Sequence, residues 1–357
     1  MQIVKAITRG VRQSLTVAPR TLRAIPRALI AIPQILNTVP AIEEYQIQRR
    51  IRREFDKSRP HGVLPVQLAI ETVNRCNAAC VMCPYPTLQR TKGIMSAETH
   101  KLIVDKVAAW GAPIQLISHA GMGEPLLDRT IVEKIRYEKS VFPKARVAIY
   151  SNVSALEEHR AEQLFDAKLD ILSVSLNAFS KDVYETVMKL PYERTQKNLH
   201  RFIEMNNVRG KPVEIHVSLI PTEHHTKEEI QAFRDYWTPL VHNVVIPPYI
   251  GWGGHFETKT RKRQYSCRYV WQVMQVDWDG TVAMCCEDYE TKFPLGNLTK
   301  QSPQDVYNSE MFQEQRRRQV DGDFEMPDIC KNCIESQDVA RDFWKTATVI
   351  PAPAPSK

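Results

Sequence analysis

From Val66 onward the chain alternates short strand-like runs with longer helix-like ones. VQLAIET is followed by SAETHKLIVDKVAAW, IQLISHA by LLDRTIVEKIRYEK, and ARVAIYS by SALEEHRAEQLFDA. The pattern continues through DILSVSLN, SKDVYETVMK, ERTQKNLHRFIEMNN, VEIHVSLI, KEEIQAFRDYW and NVVIPPY. Such alternation predicts an α/β fold, a parallel sheet covered by helices. Ser96 before AET and Ser180 before KDV stand at cap-like helix starts. In sheets of this kind ligand sites gather at the carboxyl ends of the strands, so the loops after successive strands are read together.

The loop after the first strand carries Cys76, Cys80 and Cys83. Three thiolates cannot complete a four-iron cube, so one iron is left open to bind a substrate or cofactor. The spacing differs from the paired Cys-x2-Cys knuckles of structural zinc. After the second strand comes Gly121-Met122-Gly123-Glu124-Pro125, where two glycines would let backbone approach a ligand closely. Ser151-Asn152 follows the third strand and Ser175-Leu176-Asn177 the fourth.

The other five cysteines, at 267, 285, 286, 330 and 333, form a second group. Asp279-Gly280 between two apolar runs signals a hairpin, which would place Cys267 and Cys285 around a two-stranded element. The helix-like QSPQDVYNSEMFQEQRRRQV returns the chain to Cys330-x2-Cys333, so four thiolates can converge. Zinc held by the same four ligands remains an alternative. Cys286 is left over. Grouping at ligand spacing favours metal over a disulfide framework, and a metal cluster favours a reducing cytoplasm.

Cys-x3-Cys-x2-Cys with TxxRCN around it resembles the radical SAM enzymes, over roughly residues 62 to 250. The resemblance implies a partial (β/α)6 TIM-like barrel, a 4Fe-4S cluster on Cys76, Cys80 and Cys83, and S-adenosylmethionine on the open iron as the source of a 5′-deoxyadenosyl radical. GMGEP resembles the family's GGEP, so Gly121, Gly123 and Glu124 would hold the methionine amino group. Asn152 stands in the family's TNG turn, with Val153 where glycine is common. Ser175 and Asn177 match the SxD run at the ribose, with Asn for Asp, and Met82 replaces an aromatic near adenine, with Tyr85 close by. Cys267, Cys285, Cys330 and Cys333 resemble the SPASM/twitch extensions, implying a second 4Fe-4S cluster, fully ligated, in a small C-terminal cysteine-rich α+β extension. An external one-electron reductant such as flavodoxin or ferredoxin follows from the same resemblance.

The formal net charge is +7, and residues 1 to 57 hold all of the surplus: eleven Lys or Arg against four acids. The body is therefore neutral and gives no electrostatic reason to expect nucleic acid. In the leader, Pro19, Pro26, Pro33 and Pro40 recur every seven residues among basic and apolar ones. Prolines at that spacing argue against a straight helix, and no apolar stretch of about 18 residues exists to span a membrane. The segment reads either as a partner-docking leader or as an interfacial element on the anionic cytoplasmic leaflet, which would make the protein cytoplasmic and peripheral on the inner membrane surface. The expected divisions are 1–57 leader, 58–250 core, 251–345 auxiliary cluster domain and 346–357 Pro/Ala-rich tail.

In the family it resembles, a fully ligated second cluster near the substrate can accept the electron left after hydrogen abstraction, and twitch-type members include dehydrogenases acting on aminocyclitols and sugars. The resemblance therefore implies oxidation or epimerisation of a hydroxylated small molecule, such as a sugar or aminocyclitol. A peptide-modifying maturase is one alternative, and a non-catalytic iron-sulfur or zinc protein is another. His119, Cys286 and Arg268 are the catalytic candidates: His119 as proton acceptor projecting into the barrel mouth, Cys286 as hydrogen donor, and Arg268 as the holder of an anionic substrate. His216 and His255 are further candidates for the proton.

Overall fold

The structure is a computed structural model that describes residues 40–257, 264–333 and 337–353. Residues 1–39, with most of the proline repeat, lie outside the described residues, and so does the interfacial reading attached to them. After a two-residue strand β1 (Val63–Leu64), six strands follow one another in space as they do in sequence. They are β2 (Gln67–Ile70), β3 (Leu116–His119), β4 (Arg146–Ser151), β5 (Ile171–Ser175), β6 (Glu214–Ser218) and β7 (Asn243–Val245), all parallel. Helices separate them, as the alternation requires of parallel neighbours.

Strand residues of alternating parity meet two different environments. One row, Ile70, His119, Ile149, Leu172 and Ile215, is paired across the sheet and fully buried. The other, exemplified by Ala69, Ser118 and Ala148, lines the hollow side. Helix Ala97–Ala109 shows how the covering layer is made: His100, Ile103, Val104 and Val107 are buried, a 3.6-residue stripe against the sheet. Each such aliphatic side chain contributes roughly 1.5–3 kcal/mol by leaving water. Ser96 caps this helix by accepting a hydrogen bond from Thr99 N at 3.1 Å. Ser180 occupies the cap position of Lys181–Met188 without a capping bond from its side chain. There Glu229 Oε1 accepts from Phe179 N and Ser180 N instead.

The cysteine-rich extension does not build a separate sheet. Its first strand β8 (Val273–Val276) pairs in parallel with β2, Gln67 opposite Val273. The expected turn at Asp279-Gly280 then leads into β9 (Thr281–Ala283), and β10 (Pro294–Asn297) completes a nine-stranded sheet in the order β10-β9-β8-β2-β3-β4-β5-β6-β7. The extension is thus joined edge-on to the barrel, beside the strand that leads into Cys76.

The expected boundaries at both termini shift for the same reason, burial. Helix Pro40–Ser58 sinks Ile47, Ile51 and Phe55 into the core, so the part of the leader from 40 to 57 is integral to the body. Ion pairs from Arg52 to Asp321 (2.6 Å) and from Glu43 to Lys345 (2.9 Å) fasten it to two C-terminal helices. In the tail, Val349 and Ala352 are buried and β11 (Ile350–Pro351) pairs antiparallel with β1. Among the described residues, no helix is long and apolar enough to cross a membrane.

Candidate active site

The loops at the carboxyl ends of β2, β3 and β4 are tied to one another before any ligand is considered. Glu124, buried, accepts hydrogen bonds from Leu126 N (3.0 Å), Ser151 Oγ (2.7 Å) and Asn152 N (2.7 Å). Burial pushes its carboxyl above the ordinary value, partly offset by these donors. Asn152 Nδ2 donates to Asn77 Oδ1 at 3.0 Å, which connects the β4 turn to the cysteine loop. Val153, where the resembled turn has glycine, adopts a positive φ of 52°. Gly121 and Gly123 are required by the chain itself. A Cβ on Gly121 would lie 2.5 Å from Glu71 Oε2, and one on Gly123 would lie 1.9 Å from the Val73 carbonyl oxygen. The close approach that the glycines permit is therefore to the first loop of the protein.

Asn177 also sits at positive φ, 58°, a conformation Asn tolerates better than most residues. Its Oδ1 accepts from Ile220 N at 3.0 Å and its Nδ2 faces Met188 Sδ at 3.2 Å, so the amide holds the next loop as well as lining the hollow. Met82 is buried, and its carbonyl accepts from Trp252 Nε1 at 2.9 Å. The WGGH segment thus ties the cysteine loop to the extension. Gly253 N donates to Glu287 Oε2 at 2.8 Å on the other side.

These loops and the extension surround a cavity of about 680 Å³, within the usual range for small-molecule sites. Cys76, Cys80 and Cys83 line one part of it, Cys285 and Cys286 another. Gly121, Gly123, Glu124, Asn152, Ser175, Asn177 and Arg268 all contribute to its wall. Tyr85 does not; Lys92 covers its ring at 4.3 Å.

His119 is elsewhere. It shares parity with Ile117 on the covered face of β3, is fully buried, and its Nε2 lies 3.0 Å from Glu138 Oε2. His100 Nε2 approaches the other oxygen at 2.6 Å. The expectation that His119 projects into the barrel mouth is corrected by this placement, since the side chain lies between sheet and helices. His216 faces Glu214 at 3.6 Å, and His255, exposed, bonds Tyr289 OH at 2.9 Å.

Sequence reasoning passed over a charged cluster inside the cavity. Arg90 grips Glu71 with two parallel bonds, Nη1 to Oε1 at 2.8 Å and Nη2 to Oε2 at 2.6 Å. Its Nη1 is also 3.3 Å from Asp277 Oδ2, just past the end of β8. Burial, with Glu71 nearby, pushes the Asp277 carboxyl up to about 7. Strand parity was the available signal, because Glu71 continues the hollow-facing series Gln67, Ala69 and Asp277 continues Gln275 beside it.

The donor sets fit iron-sulfur clusters. The three loop thiols interact electrostatically with one another, and burial pushes Cys76 up to about 11 and Cys80 higher still, so iron would displace their protons. Burial pushes the Cys285 thiol up, and the neighbouring Cys286, Cys330, Cys333 and Cys267 push it further in the same direction, so the second group of thiols lies within electrostatic reach of it.

A partial barrel with three cysteines after its first strand, facing a second cysteine centre across one cavity, defines an iron-sulfur radical enzyme with an auxiliary cluster. Residues 70–237 match the radical SAM superfamily and residues 267–334 match the SPASM iron-sulfur cluster-binding domain. The chain belongs to the radical SAM superfamily and carries a SPASM domain. With these domains come a radical SAM 4Fe-4S cluster, an auxiliary iron-sulfur centre and S-adenosylmethionine. The chain is similar to the S-adenosyl-L-methionine-dependent 2-deoxy-scyllo-inosamine dehydrogenase of Niallia circulans, 21% identical over 271 residues, 74% of this chain and 91% of that protein. The crystal structure of BtrN in complex with AdoMet and 2-DOIA superposes with a TM-score of 0.55 at 20% identity, covering 76% of this chain and 94% of BtrN. SuiB of Streptococcus suis bound to S-adenosylmethionine gives 0.61 at 16% identity, covering 74% and 71%.

Proposed function

We propose that the protein is a radical SAM oxidoreductase that dehydrogenates a secondary alcohol of a small hydroxylated molecule, of the sugar or aminocyclitol kind. The carrying observation is the single cavity that both cysteine centres line, with Gln67, Ser118, Gln275 and Tyr150 between them as hydrogen-bonding groups. The bound cluster and S-adenosylmethionine supply a hydrogen-abstracting radical. The residues of the chain do the rest. Cys76, Cys80 and Cys83 hold the first cluster; Gly121, Gly123, Asn152, Ser175 and Asn177 shape the cofactor wall; and Cys267, Cys285, Cys330 and Cys333 hold the auxiliary centre as electron acceptor. Arg268, stacked 4.9 Å over Tyr269, forms part of the substrate wall. Similarity to an aminocyclitol dehydrogenase supports this substrate class.

Cys286 on the cavity wall favours a second reading, epimerisation, in which its thiol returns a hydrogen atom to the opposite face. One experiment separates the two. Anaerobic, reconstituted protein is given S-adenosylmethionine, dithionite and a panel of aminocyclitols and sugars that includes 2-deoxy-scyllo-inosamine. Oxidation yields one 5′-deoxyadenosine per ketone product. Epimerisation yields an isomer that carries solvent deuterium in D2O and depends on Cys286. Absence of substrate-dependent 5′-deoxyadenosine across the panel refutes both.

A further inference from the structure

Oxidising an alcohol to a ketone removes a hydrogen atom, an electron and a proton, and the third needs an acceptor among the side chains of the cavity. Its carboxylates can be compared one by one. Glu124 accepts three hydrogen bonds, and both oxygens of Glu71 are held by Arg90, with Met122 N donating to Oε2 as well at 2.8 Å. Both oxygens of Asp288 accept backbone N–H groups, from Lys292 at 2.8 Å and Phe293 at 2.9 Å. Asp277 differs. Its Oδ2 takes the Thr291 Oγ1 bond at 2.5 Å and the weaker approach of Arg90 at 3.3 Å, while Oδ1 has no partner among the described residues.

We propose that Asp277 is the proton acceptor of the oxidation, taking the hydroxyl proton of the substrate alcohol on Oδ1. The inference rests on the dehydrogenase reading. Its balance is complete: the carbinol hydrogen atom goes to the radical derived from S-adenosylmethionine, the electron to the auxiliary iron-sulfur centre, the hydroxyl proton to Asp277, and a C=O double bond forms. Asp277 stands where this is useful, at the end of β8, which brings the auxiliary extension against the strand leading to Cys76.

The charges around it come from several elements. Glu71 on the β2 side and Asp279 on the hairpin turn oppose ionisation, and Arg90 favours it. Arg90 is itself shared with Glu71 and with Glu290, whose carboxylate accepts from Gln89 N and Arg90 N. One guanidinium already saturated by Glu71 leaves the second carboxylate under-compensated in a buried site, so it exchanges a proton near neutral pH. General bases are most effective when poised in that range.

The test uses reconstituted holoenzyme, with Asp277→Asn, Asp277→Glu and Thr291→Val beside the wild type. Infrared pH titration of the wild type is expected to show a carboxylic-acid carbonyl band with a midpoint near 7 that is missing in Asp277→Asn. In Thr291→Val the midpoint moves upward, because the lost hydrogen bond favours the charged form. With 2-deoxy-scyllo-inosamine as probe, ketone formation falls about 100-fold or more in Asp277→Asn and is partly recovered in Asp277→Glu. A band unchanged by Asp277→Asn, or oxidation by that variant at the wild-type rate, overturns the proposal. Failure of the wild type to oxidise the probe counts against the substrate reading alone, since the infrared titration still decides whether Asp277 exchanges its proton.

Discussion

Glu138→Gln gives the sharpest test of how the barrel is held together. Glu138 is fully buried on helix Ile131–Val141, between His100 at 2.6 Å and His119 at 3.0 Å. Burial alone would push its carboxyl up; the two imidazoles more than offset this and hold it at about 2, against an ordinary 4.5. At 1.36 kcal/mol per pKa unit, that preference for the charged form is worth about 3 kcal/mol. The folded-state value is depressed, so this stability is present above pH 4.5 and is lost as pH falls from there toward 2. At pH 7.5 the Gln variant therefore lacks it in full. It also leaves two imidazoles without their carboxylate, and removing one partner of a buried pair typically costs about 3–5 kcal/mol. For a chain of this size that corresponds to a melting temperature lower by roughly 5–10 °C. The assay is an anaerobic thermal melt of the cluster-loaded protein at pH 7.5 and at pH 5.5, and the wild type should melt alike at both as far as this group is concerned. Wild-type melting of Glu138→Gln, together with lost turnover in His119→Phe at unchanged stability, would refute the reasoning and return His119 to the chemistry.

Three other outcomes follow from the same geometry. Cys330→Ala is expected to lower the iron content of anaerobic protein from about eight to about four per chain, with no zinc in either form, as metal analysis would read directly. Gly123→Ala forces a methyl to within 1.9 Å of the Val73 carbonyl, so the loop must shift; expected are poor folding and loss of cluster absorbance, whereas a fully loaded variant would contradict the contact. Truncation at residue 39 leaves helix Pro40–Ser58 in place, and such a protein should lose the flotation with anionic liposomes expected of the full chain, while truncation at 57 should unfold it through loss of Ile47, Ile51 and Phe55. Equal failure to float of the full and 39-truncated forms would remove the interfacial reading.

What could be read from the sequence divides along the range of the interactions. Strand and helix periods are local, so β2 to β7 and their covering helices could be assigned from runs of a few residues, and the cysteine spacings were local as well. The misplacement of His119 came from reading a strand end as a mouth without counting parity: Ile117, two residues earlier, already assigned that face to the core. Helix Pro40–Ser58 was hidden by the prolines before it, although Ile47, Ile51 and Phe55 recur every four residues as a buried stripe would.

The Glu71–Arg90–Asp277 cluster was legible only in part: strand parity turns Glu71 and Asp277 to the hollow side, but nothing local brings them to each other or to Arg90. Its members are separated by 19 residues in one direction and by most of the chain in the other, and none belongs to a motif. Only the pairing of β8 with β2 brings them together, and that pairing is what makes the extension part of the barrel. The edge that β2 would otherwise leave unpaired is completed by the strand carrying the proposed proton acceptor. A change that loosens the β8 edge should therefore weaken auxiliary-cluster retention and the neutral-range titration of Asp277 together, whereas a change confined to the GMGEP loop should spare the second.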